Sequence, residues 1–141
     1  MNTQMFCFQC EQTAGCKGCT GAAGVCGKKA DIAGLQDLLT GALIGLARAA
    51  KSSTQPTENT CNLLIKGLFT TVTNVNFNEM TIKALIEEVH FEKEKLLATG
   101  TDCGAAGGRN DDYDMSKVWD TDEDIRSLKS LILFGIRGMA A

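Results

Sequence analysis

The chain's 141 residues are the size of one domain, long enough to bury roughly two thirds of the unfolded surface without covalent staples. With 44% hydrophobic residues, 22% charged residues and a single proline, Pro56, the composition excludes a disordered or collagen-like chain. Fourteen basic against 17 acidic residues leave a net charge of −3, so neither nucleic acid nor an anionic membrane is an expected partner.

The N-terminus has no basic stretch leading into an apolar one, so it does not read as a signal peptide. Residues 5–30 then form a Cys/Gly/Lys segment without apolar periodicity, holding five of the seven cysteines. A text of different character begins near Asp31. Ile32, Leu35, Leu39, Leu43 and Leu46 recur at steps of three and four, predicting an amphipathic helix to about Ala50. The longest strongly apolar run in it, Leu38 to Ala47, falls short of the ~20 residues of a spanning helix. Residues 51–57 read as a polar connector interrupted by Pro56.

A second helix is expected from about Glu58, with Leu64, Ile65 and Leu68 buried, its C-terminal end blurred by the β-branched run Thr70 to Thr73. Cys61 reads as a small core residue. Asn78 is the expected N-cap of a third helix carrying Ile82, Leu85, Ile86, Val89, Leu96 and Leu97, with Gly100 as its stop. His90 lies inside that pattern and reads as a structural histidine. Residues 100–120 have loop chemistry. Asp111, Asp112 and Asp114 there lack the EF-hand order and read as solvated, and Gly104 to Arg109 lacks the phosphate-loop ending and reads as linker. Cys103 is an isolated thiol. Thr121-Asp122-Glu123-Asp124 resembles a capping box before a fourth helix with Ile125, Leu128, Ile132, Ile136 and Met139 on one face.

No alternating strand pattern or fixed-period repeat is present, so the expected fold is all-α: a bundle of about four helices over residues 31–141, preceded by an irregular metal-binding segment over residues 1–30. The last helical pattern is still running at Ala141, so the bundle is expected to be truncated. Leu128, Ile132 and Ile136 would then pack on elements outside the chain or drive self-association.

The cysteines of the first segment read C-x2-C-x5-C-x2-C-x6-C, from Cys7, Cys10, Cys16 and Cys19 to Cys26. Four of the five suffice for one metal site, and a C-x2-C pair suits tetrahedral zinc and an iron–sulfur cluster alike. The gap between the two pairs is far shorter than the ~15–20 residues of a zinc ribbon, and the spacing is not that of a bacterial ferredoxin. Interspersed glycines can turn backbone N–H groups toward an anion. Lys17, Lys28 and Lys29 can balance its charge or simply be solvated. Phe6 and Phe8 can shield a cluster, although anchoring the N-terminus is the commoner role for such aromatics.

Met5-Phe6-Cys7-Phe8-Gln9-Cys10-Glu11-Gln12-Thr13, Lys17-Gly18-Cys19-Thr20 and Gly24-Val25-Cys26-Gly27-Lys28 resemble the N-terminus of the hybrid-cluster proteins, the prismane or hydroxylamine reductase family. The resemblance continues through residues 35–39, 68–77 and 124–128 to Gly138-Met139-Ala140-Ala141, covering nearly the whole chain. It implies Cys7, Cys10, Cys19 and Cys26 as ligands of one iron–sulfur cluster, with Cys16 an extra thiol. The middle gap matches members carrying [4Fe–4S], the last gap those carrying [2Fe–2S], and [4Fe–4S] is favoured. Family members continue into two α/β domains that hold the catalytic hybrid cluster and reduce hydroxylamine to ammonia. This chain lacks those domains, so the expectation is a cytoplasmic electron-transfer portion whose partners are the remaining domains or a redox protein, with no catalytic residue of its own. The alternative is a zinc-stapled helical module that binds another protein.

Overall fold

A computed structural model describes residues 5–10, 15, 17–53, 56–72, 75–99 and 112–141. Among these the fold is helical, with α1 (Ala30–Ser52), α2 (Glu58–Thr70), α3 (Glu79–Thr99), α4 (Ser116–Trp119) and α5 (Glu123–Met139). The all-α expectation is met, with one short helix more than the sequence suggested. Cys16, the Gly100 stop, Cys103, the Gly104 to Arg109 stretch and Asp111 lie outside the described residues.

Helix α1 is the axis. Ile32, Leu39, Leu43 and Leu46 are buried along it as the periodicity predicted, together with Ala42, Ala49 and Ala50. It packs most extensively on α3 and next on α2, where Leu63, Ile82, Leu85, Val89 and Leu96 complete one core. Truncating a fully buried leucine such as Leu39 to alanine in such a core costs about 2–5 kcal/mol. By length and composition α1 could cross a membrane, which the shorter run read from the sequence did not anticipate. More than half of that stretch is buried inside this fold, against α2 and α3, the cysteine segment and Arg137 of α5.

Helix α2 is capped by a motif the sequence reading did not name, and α3 by the expected Asn78. The Thr57 hydroxyl accepts from the Thr60 N–H at 3.1 Å while the Thr60 hydroxyl accepts from the Thr57 N–H at 3.3 Å, a reciprocal capping box. Both hydroxyls also donate to Glu92 Oε1 on α3 at 2.8 Å, and Asn59 donates to Oε2 at 2.8 Å. Asn78 Oδ1 caps α3 through the Thr81 N–H at 3.0 Å.

The fully buried residues of α2 are Thr60, Leu63, Gly67 and Thr70. Leu64 and Leu68 pack against the core half-buried, as expected, whereas Ile65 and Cys61 are exposed. With Thr60 bonded to Glu92 on α3, Cys61 and Ile65 fall on the far side of the helix. Gly67 also permits close approach to Leu43, whose Cδ atoms would lie 2.6 and 2.8 Å from a Cβ there.

Two further expectations change. The region read as loop to residue 120 contains α4, started by Asp114 Oδ1 accepting from the Ser116 N–H at 2.9 Å. The N-cap of α5 is Asp122 rather than Thr121, with Asp122 Oδ1 accepting from the Asp124 N–H at 3.0 Å. Asp112 is not simply solvated. It accepts from the buried Lys93 ammonium at 2.6 Å and pairs with His90 Nε2 at 2.7 Å, confirming His90 as a structural residue.

Helix α5 rests on the body through Leu133 and the buried Arg137. Leu128, Leu131 and Ile132 point away and are more than half exposed.

Candidate metal centre

The cysteine segment is held by backbone bridges. Cys7 and Cys19 exchange both N–H···O bonds, at 3.1 and 2.8 Å, as an isolated antiparallel pair. Gly18 makes this possible: its φ of +122° disfavours any side chain, and a Cβ there would lie 2.7 Å from the Phe6 ring. A second bridge joins Ala23 to Lys29. Within it Gly24 N–H bonds to the Lys28 carbonyl and Gly27 N–H to the Gly24 carbonyl, both at 2.8 Å, and Gly27 turns the chain at φ +83°. Cys26 sits in that turn.

One bridge pairs Cys7 with Cys19, and the other closes the turn that carries Cys26. Cys7 and Cys19 are buried and pack with Met5 and Ala33 in a small core of their own. The missing Cβ of Gly24 leaves a space 3.2 Å from Met5 Cε and 3.6 Å from Cys26 Sγ, so Cys26 borders the same pocket of packing. Cys10 is half-buried and close enough to Cys7 to act on its charge. Among the described residues no three His, Cys, Asp or Glu side chains form a group that could hold a single metal ion. The donors here are thiols, the soft ligands that iron–sulfur clusters take, and with the Lys28 and Arg137 charges acting on Cys7 their chemistry fits such a group.

Of the three lysines, Lys17 and Lys29 are exposed and Lys28 is 2% exposed. Its ammonium donates to Gln9 Oε1 at 2.9 Å and to Gln36 Oε1 at 2.5 Å, and lies 5.9 Å from the Phe77 ring centroid. Gln9 Nε2 in turn donates to Asp37 Oδ1 at 2.7 Å, and the Trp119 indole donates to Asp37 Oδ2 at 3.1 Å. Burial pushes the Asp37 carboxyl above its ordinary pKa, opposed by those hydrogen bonds and by Arg137 and Lys28. Burial likewise raises the Cys7 thiol, against the pull of Lys28. It also lowers the Arg137 pKa, against Asp37 and Cys7.

Sequence reasoning missed Gln9, Gln36, Asp37, Trp119 and Arg137. Each is a polar or aromatic residue whose partners lie far along the chain, and only the placement of Asp37 among apolar residues of α1 hinted at burial. Phe6 and Phe8 anchor the segment, packing on Trp119 with centroids 6.2 and 6.4 Å apart. Beside them a cavity of about 340 Å³ is lined by Phe8, Cys10, Trp119, Leu131, Phe134 and Arg137 among others.

A helical body with a bridged, thiol-bearing N-terminal segment is the architecture in which the chain matches the Prismane/CO dehydrogenase family over residues 5–141, and it belongs to that family. Membership supports an iron–sulfur cofactor. The chain is similar to hydroxylamine reductases from Solidesulfovibrio magneticus (38% identical), Methanocella arvoryzae (39%) and Clostridium perfringens (36%), each match covering 97% of this chain. It spans only 29% of the length of each of these relatives.

Proposed function

We propose that the chain is the N-terminal electron-transfer portion of a hybrid-cluster protein of the hydroxylamine reductase type. In this reading Cys7, Cys10, Cys19 and Cys26 hold one iron–sulfur cluster, with [4Fe–4S] favoured over [2Fe–2S]. The observation that supports it is the Cys7–Cys19 bridge, with Cys10 near enough to act on the Cys7 charge and Cys26 Sγ beside the Gly24 position that Met5 also approaches. A cluster there supplies one-electron storage and transfer. The chain's own residues position the thiols, exclude water through Met5 and Ala33, and set the local charge. Reduction of hydroxylamine to ammonia belongs to the remaining domains of the full-length enzyme, which with an electron donor are the chain's partners. The reading assigns no catalytic residue to this chain. Thiols kept reduced for cluster assembly fit a cytoplasmic location.

The test is anaerobic reconstitution followed by iron and acid-labile sulfide analysis and EPR after dithionite. Wild-type chain should carry iron and sulfide, single Cys→Ser changes at positions 7, 10, 19 and 26 should lose or weaken the cluster, and Cys61→Ser and Cys16→Ser should keep it. Stoichiometric zinc without sulfide overturns the reading in favour of a zinc-stapled interaction module. Cluster loss in Cys16→Ser with retention in Cys19→Ser overturns the ligand set.

A further inference from the structure

Among the described residues, the buried charges beside Cys7 do not balance. Lys28 is 2% and Arg137 3% exposed, and among the described residues neither makes an ion pair within 4 Å. Lys28 is held by two amide oxygens. Arg137 donates through Nε to the Thr71 hydroxyl at 2.9 Å and through a terminal nitrogen to the Thr40 hydroxyl at 3.1 Å. Both cations act electrostatically on one carboxylate, Asp37, whose two oxygens each accept an N–H bond, from Gln9 and from Trp119. Among the described residues two cations face one carboxylate, and leaving a charge buried and uncompensated is costly.

The two cations converge on this spot from opposite ends of the sequence. Lys28 follows the Cys26 turn, whereas Arg137 comes from the last turn of α5 and lines the cavity that Cys10 borders. Gln9 lies between the flanking cysteines' region and the rest, accepting from Lys28 and donating to Asp37. Gln36, which holds the other side of Lys28, also donates to the Asn76 carbonyl at 2.9 Å.

We infer that Lys28 and Arg137 are positioning residues that serve as built-in counter-charges for an anionic group held at Cys7, and that Asp37 offsets part of their field. The inference rests on the cluster reading above and deepens it by naming what sets the cluster's potential. Each electron taken up adds negative charge to the cluster, so buried cations favour the reduced form and a buried carboxylate disfavours it. Removing either cation lowers the reduction potential. Removing the Asp37 charge raises it.

The experiment is a redox titration of the reconstituted chain, monitored by EPR and visible absorption, on wild type, Lys28→Met, Lys28→Arg, Arg137→Met and Asp37→Asn. At fixed ambient potential each Met variant should lower the reduced-to-oxidised ratio at least tenfold, equivalent to ~59 mV for one electron. Lys28→Arg should stay near wild type, and Asp37→Asn should move in the opposite direction. A purely structural role would not reverse sign between Arg137→Met and Asp37→Asn, and both lie outside the cysteine segment, so they decide the matter even where Lys28→Met fails to assemble a cluster. Potentials unchanged in Arg137→Met and Asp37→Asn, or shifted the same way in both, overturn the inference while leaving the cluster reading intact. A wild-type chain that takes up no iron and sulfide overturns both.

Discussion

Two glycines on one helix provide a matched test of how residues 112–119 dock on α1. At Gly34 a Cβ would meet nothing within 4 Å, whereas at Gly41, seven residues later, it would run into the Tyr113 carbonyl oxygen and lie 3.3 Å from its carbon. The Gly41 carbonyl also accepts the Tyr113 N–H at 3.1 Å. Alanine is favoured over glycine inside a helix by about 0.8–1.0 kcal/mol, so Gly34→Ala should stabilise the fold by about that amount. At Gly41 the same gain is opposed by overpacking against backbone, about 1–3 kcal/mol, and by a weakened hydrogen bond, about 1 kcal/mol. The net is a loss of about 1–3 kcal/mol, or roughly 3 °C in melting temperature per kcal/mol for a chain of this size. Urea unfolding followed by circular dichroism measures the difference. Fluorescence of Trp119, the chain's single tryptophan, should report the loosened segment at lower denaturant in Gly41→Ala. Equal or greater stability of Gly41→Ala relative to Gly34→Ala would refute the close docking of Tyr113.

Burial raises the Glu92 carboxyl, but the donors Thr57, Thr60 and Asn59, with Lys95, outweigh it and hold its pKa below the ordinary 4.5. A depressed carboxylate contributes stability that is present above the unfolded pKa and lost as pH falls through the folded one. Wild type should therefore lose stability from about pH 4.5 downward, and Glu92→Gln should flatten that part of the curve in acid unfolding monitored by circular dichroism while costing stability at neutral pH. Leu131 at 67% and Ile132 at 61% exposed form an apolar face expected to self-associate. Light scattering should show species above the monomer that the paired change Leu131→Glu and Ile132→Glu dissolves, and a clean wild-type monomer at all concentrations would contradict this.

The main helices were legible because apolar residues at steps of three and four leave few alternatives. Ala30–Ser52, Glu58–Thr70 and Glu79–Thr99 start within a residue of their expected positions. Burial of Thr60 and exposure of Ile65 on α2 were not legible, because Thr60 looks neutral until Glu92 is brought to it. Helix α4 escaped for a different reason: with four residues it has no periodicity to read. At the candidate site the cysteine cluster was visible in the sequence, while the choice of four among its five thiols came from the resemblance and not from spacing. Lys28 was read together with Lys17 and Lys29 as a cation that balances an anion or is solvated, and Asp37 and Arg137 were not singled out, since burial of a charge depends on partners that sequence distance conceals. Among Lys17, Lys28 and Lys29 nothing in the local text singles out the buried one.

The bond from Gln9 to Asp37 and the bond from Trp119 to the same carboxylate have a consequence for biosynthesis. The thiol segment is made before α4 and α5, yet its support includes the ring of Trp119 and the charge of Arg137. At ~5–20 residues per second of translation, on the order of ten seconds pass between synthesis of Cys7 and of Arg137. Throughout that interval the nascent cysteines lack part of their final support, so a stretch made early is among the last to be locked. Delivery of iron and sulfide before that point would meet an unfinished site, which favours insertion of a cofactor after Arg137 has been made.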